Sequence, residues 1–227
     1  MQPHLTKAAL AGLASILLAG TANAAITVGQ SAYYNYASDV SAFSAANVVC
    51  DFDSACAPGY SLVFAGGSGS GAGIYTGSQS GITAAPPGDA TAYASLLGPD
   101  GAATLTSSHA LQSLSFFMGS PDSYNGVSFY GAGHSLLGGF TGSAFTGPPA
   151  NGDQSLGERI TFNFNGAPVR EVVFSSTQNS FEFDRVGAVA AGVPEPGAWA
   201  LMLIGFGGLG AVLRRARGST VSNAAAA

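Results

Sequence analysis

The sequence predicts an all-β domain, an antiparallel β-sandwich of jelly-roll type, followed by one apolar helix. Three observations carry this. Apolar residues alternate with a period of two in several short runs, as they do in half-buried strands. Glycine, at 33 of 227 residues, is about twice its usual ~7 % share, and with abundant Ser, Thr and Asn it supplies many turns. No stretch between residues 25 and 193 sustains an apolar period of 3.6. That region is one domain's length and long enough to bury a core.

Taken in order, the elements are these. Residues 1–24 hold a weakly basic start (His4, Lys7), an apolar stretch over residues 8–19 and Ala22-Asn23-Ala24, the pattern of a secretory signal with an A-x-A cleavage site. The sandwich is expected over residues 25–189. Val48, Cys50 and Phe52 alternate with Val49, Asp51 and Asp53 in a first strand. Residues 66–73 read as a Gly/Ser loop, and Pro86-Pro87-Gly88-Asp89 as another. Leu114, Phe116 and Met118 make a strand that Ser120-Pro121-Asp122-Ser123 turns, with Pro at the favoured second position. Val127 and Phe129 continue on the return. Three late strands follow: Ile160, Phe162 and Phe164; Val172 and Phe174; Phe181 and Phe183. Gly166-Ala167-Pro168 and Thr177-Gln178-Asn179 turn between them. The count comes to eight to ten strands.

Charge excludes one function class. Residues 25–193 carry eleven acidic and three basic side chains, a net of −8, and no Lys or Arg occurs between residues 25 and 158. Nucleic-acid binding requires a basic footprint, and none is present. Cys50 and Cys56, six positions apart, predict a short-loop disulfide if the chain is exported to an oxidising compartment. Two cysteines without further Cys or His partners make no zinc site.

The search for catalytic machinery finds little. There is no Gly-x-Ser-x-Gly nucleophile turn and no phosphate-loop lysine. His109 and His134 have no readable catalytic partner in the sequence. A calcium site is the best metal reading: Asp51 and Asp53 lie near one end of the domain, Asp184 near the other, with Glu182 a weaker candidate. Carboxylates meeting between adjacent first and last strands would suit a hard cation. Glycan binding is the alternative, through Tyr33, Tyr34 and Tyr36 and through Asp122, Tyr124 and Asn125, since aromatic faces beside amides and carboxylates are what sugars bind. A glycoside-acting enzyme ranks third and would need a pair such as Asp122 and Asp153 facing across a cleft.

The end of the chain is the most specific part. Val193-Pro194-Glu195-Pro196-Gly197-Ala198-Trp199-Ala200 leads into a charge-free run over residues 198–213, then Arg214-Arg215-Ala216-Arg217. Residues 190–197 read as a linker with the motif, and the prolines push Val193 and Glu195 to an extended strip that a processing enzyme can bind. The apolar run, about 24 Å long as a helix, is expected to act as a transmembrane helix, with Trp199 at the interface and residues 214–227 as a basic stop and short tail. These residues resemble the PEP-CTERM sorting signal in its Pro-Glu-Pro-x-x-Trp-Ala variant. That resemblance implies export by a Gram-negative bacterium that makes exopolysaccharide. It also implies recognition of Pro194, Glu195 and Pro196, with Trp199-Ala200 as the variant's signature, by an exosortase, a membrane-embedded cysteine transpeptidase. Residues 218–227 extend past the usual end of such tails. A looser resemblance links Gly119-Ser120-Pro121-Asp122-Ser123-Tyr124-Asn125 and Ser180-Phe181-Glu182-Phe183-Asp184 to ectodomains that precede these signals. The expectation is a non-enzymatic envelope or matrix protein, membrane-anchored as a precursor and then placed at the cell surface or in an extracellular biofilm matrix. Its role is structural or adhesive, and no cofactor beyond a structural calcium is expected.

Overall fold

Two antiparallel sheets close over a phenylalanine-rich core in the computed structural model, which describes residues 25–66, 71–147, 149–192 and 196–221. The first sheet runs in the order β1 (Thr27–Gln30), β10 (Gly157–Asn163), β7 (Leu111–Gly119), β12 (Phe181–Ala190), β5 (Ala92–Leu96) and β4 (Gly73–Thr76). A further strand, β2 (Val48–Cys50), also pairs with β12. The second sheet runs β3 (Tyr60–Ala65), β6 (Gly101–Ser107), β11 (Glu171–Ser176), β8 (Asn125–Tyr130) and β9 (Leu136–Thr141). The described residues thus form a two-sheet β-sandwich, with more strands than the alternation alone marked.

The late strands pack as their period demands. In the first sheet Ile160 lies opposite Phe116, Phe162 opposite Leu114 and Phe183 opposite Met118. These side chains meet Val127, Phe129, Val172 and Phe174 of the second sheet, all essentially fully buried. Aromatic contacts join the layers: Phe129 meets Phe162 edge-on at 4.8 Å, and Phe174 stacks on Phe183 at 4.5 Å. Such pairs contribute about 0.5–1.5 kcal/mol each beyond the area they bury.

The outer face of the first sheet is covered rather than wet. Phe117 lies on it and carries the rings of Tyr34 and Tyr36 at 5.7 and 5.8 Å. The helix α1 (Tyr36–Ala42) caps this face, begun by Asn35, whose side chain accepts from the Ser38 amide. Two turns are too short to show a helical period in sequence. Strand β12 is consequently buried on both faces from Phe181 to Ala188, so Glu182 and Asp184, on the face opposite the phenylalanines, are buried too. A short helix α2 (Ser143–Thr146) closes one end and tucks Phe145 into the core.

The helix α3 (Pro196–Val221) follows the sandwich and runs through Arg214, Arg215 and Arg217. Its described apolar side chains, Leu201 and Phe206 among them, are exposed. The expected transmembrane helix is not met: among the described residues no helix is long and apolar enough to cross a membrane. The charge-free part is short, Gly205, Gly207, Gly208 and Gly210 dilute its hydropathy, and the arginines continue the same helix. The secretory signal over residues 1–24 lies outside the described residues, as do Pro194 and Glu195.

Candidate functional site

A buried carboxylate organises an open polar cleft. Glu182 of β12 is 1 % exposed and points to the outer face of its sheet. Its Oε1 accepts from the Thr83 hydroxyl at 3.1 Å, from the Ala84 amide at 2.9 Å and from the Ser180 hydroxyl. Its Oε2 accepts from the Ser120 hydroxyl at 2.9 Å. One carboxylate thereby ties the 78–84 loop, the turn after β7 and the turn before β12 together. A charge buried this deeply persists only with such a set of donors.

Above it lies an open cleft of about 770 Å³, within the size range of small-molecule sites. Its walls are residues 78–84, Ser120, Asp122 and Tyr124, residues 151, 152 and 154, and Asn179. Amides and hydroxyls dominate, and Tyr124 is the aromatic member. Asp122 is held by a short antiparallel bridge to Asn151. A side chain at Gly152 would strike it, since a Cβ there would sit 2.7 Å from the Asp122 Oδ1. The Tyr124 hydroxyl donates to the Asn179 carbonyl oxygen at 2.7 Å. Burial, reinforced by the Glu182 charge, pushes the Asp122 carboxyl up to about 6 against the lowering effect of the Tyr124 hydroxyl. Burial also raises the Tyr124 phenol, which stays neutral.

The sequence brought part of this together. Of the three residues of the expected glycan loop, Asp122 and Tyr124 line the cleft. Asn125 does not: it is fully buried, with Oδ1 accepting from the Ser176 hydroxyl at 3.1 Å. Tyr34 and Tyr36 are also no sugar platform, because their rings pack inward on Phe117. Tyr33 is 39 % exposed and does not line the cleft. Asp153 turns to its own loop, capping Ser155 through the amide at 2.9 Å and the hydroxyl at 2.6 Å, so it does not face Asp122 as an acid–base partner. Glu182, Thr83 and Asn179 were not foreseen as parts of one site. Only a topology that folds residues 78–84 back over β12 joins them, and no local pattern announces it.

The residues expected to hold calcium are placed as follows. β2 and β12 do lie side by side, with Val186 opposite Cys50. Asp53 lies within electrostatic reach of Asp184, yet each expected ligand is engaged by its own hydrogen bonds. Asp51 accepts from the Ser54 amide and hydroxyl, and Asp53 accepts from the Ala92 amide at 3.0 Å. Asp184 is buried, with Oδ1 on the Arg185 amide at 2.6 Å. Among the described residues no three His, Cys, Asp or Glu side chains gather as a metal-ligating group. Asp184 lies instead near Asp89, and each leaves one buried carboxylate oxygen without a hydrogen-bond partner. Burial first, then the Asp89 and Asp53 charges, push Asp184 up to about 7.

Cys50 and Cys56 are joined by a disulfide. The two histidines sit in surface pairings: His109 with the Ser108 hydroxyl, and His134 with Glu171 at 2.7 Å, stacked on Tyr130. Pro196, Trp199 and Ala200 fall in the first turns of α3, and the Arg214 side chain beyond them is exposed.

Three comparisons with known proteins bear on this chain. Residues 192–217 match the PEP-CTERM protein-sorting motif. The match supports an exported protein sorted by an exosortase. No curated protein matches the chain in sequence. Among solved structures the chain is similar to a glycoside hydrolase family 43 arabinoxylan arabinofuranohydrolase from Bacillus subtilis, in complex with cellotetraose, at 16 % identity and a TM-score of 0.34. The overlap covers 53 % of this chain and 24 % of that one. So distant a likeness carries no argument about what the cleft does.

Proposed function

We propose that this chain, which bears a PEP-CTERM sorting motif, is an envelope or matrix protein whose sandwich holds a segment of exopolysaccharide in the cleft above Glu182. Its role is adhesive: the tail places the protein through an exosortase, by way of a membrane-held precursor, and the cleft grips the surrounding polymer. The observation that carries the binding half is the 770 Å³ cleft itself, walled by amides, hydroxyls and Tyr124. Fixed polar groups around a single ring suit a ligand that is mostly hydroxyl.

Hydrolysis is the weaker reading of the same cleft. A retaining or inverting mechanism needs two carboxyls that reach the scissile bond. Glu182 is 1 % exposed and accepts from four donors, so it does not reach into the cleft for that work.

The test uses the full-length protein in mild detergent, titrated calorimetrically with oligosaccharides from the host's own exopolysaccharide. Binding should be present in the native chain and weakened at least about tenfold, or 1.4 kcal/mol, by Asp122→Ala or Tyr124→Ala at unchanged melting temperature. Equal binding by both variants would remove the cleft from the account.

A further inference from the structure

Two buried carboxyls lie outside the cleft. Asp184 of β12 is fully buried, and Asp89, in the Pro86-Pro87-Gly88-Asp89 loop, is 8 % exposed. Each has one oxygen occupied. Asp184 Oδ1 accepts from the Arg185 amide at 2.6 Å. Asp89 Oδ1 accepts from the Thr91 amide at 2.8 Å and the Thr91 hydroxyl at 2.6 Å. The other oxygen of each, Oδ2, is buried without a hydrogen-bond partner. The two groups are neighbours. Asp89 lies within electrostatic reach of Asp184, and the Tyr36 hydroxyl, 3.1 Å from the Thr91 hydroxyl, stands between Thr91 and the Asp184 carboxyl. Asp53 is exposed, lies within electrostatic reach of both, and marks the solvent side. The Tyr36 amide donates to the Pro87 carbonyl oxygen at 2.8 Å, which seats the loop on the start of α1.

No described basic side chain offsets this pair. Residues 25–193 contain three arginines and no lysine. Arg159 and Arg185 are both committed to Asp39, and Arg170 donates to the Ser108 carbonyl oxygen. His109 and His134 pair elsewhere on the surface, with Ser108 and Glu171. Carboxylate oxygens shut away from water are costly unless something positive meets them.

We propose that Asp89 and Asp184 hold a hard divalent cation of the calcium type, with the Tyr36 hydroxyl beside it and Asp53 at its mouth. Every donor in the group is an oxygen, and the absence of thiolate or imidazole favours a hard cation over a transition metal. Two carboxylates balance its charge, and such ions complete their shell with carbonyl oxygens and water. Asp51 takes no part, because its carboxylate is held by Ser54. The ion ties β12 to the loop before β5 and to α1, and so fastens the outer layer of the first sheet. This site is independent of the glycan reading of the cleft.

The test uses the full-length protein in mild detergent, stripped with chelator. Calcium at about 10 mM, above the Kd range of extracellular sites, should raise the melting temperature by about 3–10 °C. Asp89→Asn and Asp184→Asn should each remove most of that rise, and Asp51→Asn none of it. Terbium, a hard stand-in for calcium, should emit when excited through Tyr36. That emission should be lost on adding calcium and largely lost in Tyr36→Phe. No rise with calcium and no calcium-displaced emission would leave the pair to a shared proton and overturn the site. A rise that survives both Asp→Asn variants, or vanishes in Asp51→Asn, overturns it as well, since the ion then sits elsewhere. Should Asp184→Asn not fold, Asp89→Asn on its loop and the Tyr36→Phe emission decide.

Discussion

Arg159 grips Asp39 through two parallel hydrogen bonds, Nε to Oδ1 and Nη2 to Oδ2, each 2.7 Å long, across 120 positions of chain. Asp39 is fully buried and also accepts from Arg185 Nε at 3.1 Å and from the Tyr34 hydroxyl at 2.9 Å. The Arg159 guanidinium lies 3.7 Å over the Phe43 ring and reaches Ser115 and the Arg185 carbonyl oxygen. This network fastens α1 to the outer face of the first sheet. It does so with two of the three basic residues of the domain.

Removing the shared anion should be severe. Asp39→Ala strands two buried guanidinium groups, and breaking a buried pair from one side costs about 3–5 kcal/mol. We expect a loss of that order in urea unfolding, with the m-value little changed. A loss under about 1 kcal/mol would show that water or a rearranged partner replaces the carboxylate.

The same contact makes Gly187 sensitive. A Cβ at this position would lie 2.5 Å from Phe43 Cζ and 3.0 Å from the Asn47 carbonyl oxygen. Gly187→Ala should therefore cost about 1–3 kcal/mol through overpacking. Phe43→Leu in the same chain should recover part of this, and the double-mutant cycle reads the coupling. Additive effects would place the strain elsewhere.

The buried carboxyls predict an unusual pH profile. Burial pushes Glu158 up to about 8 and, with neighbouring charges, Asp184 up to about 7 and Asp122 up to about 6. A folded-state pKa above the unfolded one means the folded chain binds the proton more tightly. Stability is then highest while these groups are protonated and falls as pH rises from about 4 towards about 8. The melting temperature should be higher near about pH 5.5 than near about pH 8. Glu158→Gln, which imitates the protonated form, should flatten the upper part of that slope. A melting temperature that climbs from pH 5.5 to pH 8 contradicts this.

The sequence disclosed those parts whose signal is local. Ile160, Phe162 and Phe164 alternate within five residues of chain, and the strand that holds Ile160 and Phe162 packs as that period requires. The disulfide lies within a single loop, and the sorting motif is contiguous. What stayed hidden was long-range. Glu182 alternates with phenylalanines and read only as a weaker calcium candidate, because nothing local shows that residues 78–84 fold over it. Asp39 and Arg159 are ordinary surface residue types until 120 positions of separation close. Asp51 and Asp53 looked like ligands by spacing, yet Asp51 is taken up by the Ser54 amide three positions on and Asp53 by the Ala92 amide 39 positions on. Hydropathy alone also overstated the tail: its apolar run is real, but glycines and arginines share the helix.

The tail therefore gives the prediction that separates sorting from simple anchoring. If residues 192–217 act as a sorting motif, the Pro194-Glu195-Pro196 strip matters beyond its neighbour's hydropathy. Replacing these three residues by alanine leaves the charge-free run and the arginines intact, and alanine extends a helix readily. Simple anchoring by the apolar run predicts no change in the host. Recognition by an exosortase predicts that the variant accumulates as an unprocessed precursor, with α3 still attached by intact-mass measurement and little protein at the cell surface or in the matrix. The converse variant, Arg214→Ala with Arg215→Ala and Arg217→Ala, keeps the strip and removes the basic cluster that follows the apolar run. It should impair retention and processing to a lesser degree, since the recognised strip remains. Wild-type mass and location in the alanine-strip variant would show that the motif is present in sequence and unused in the cell.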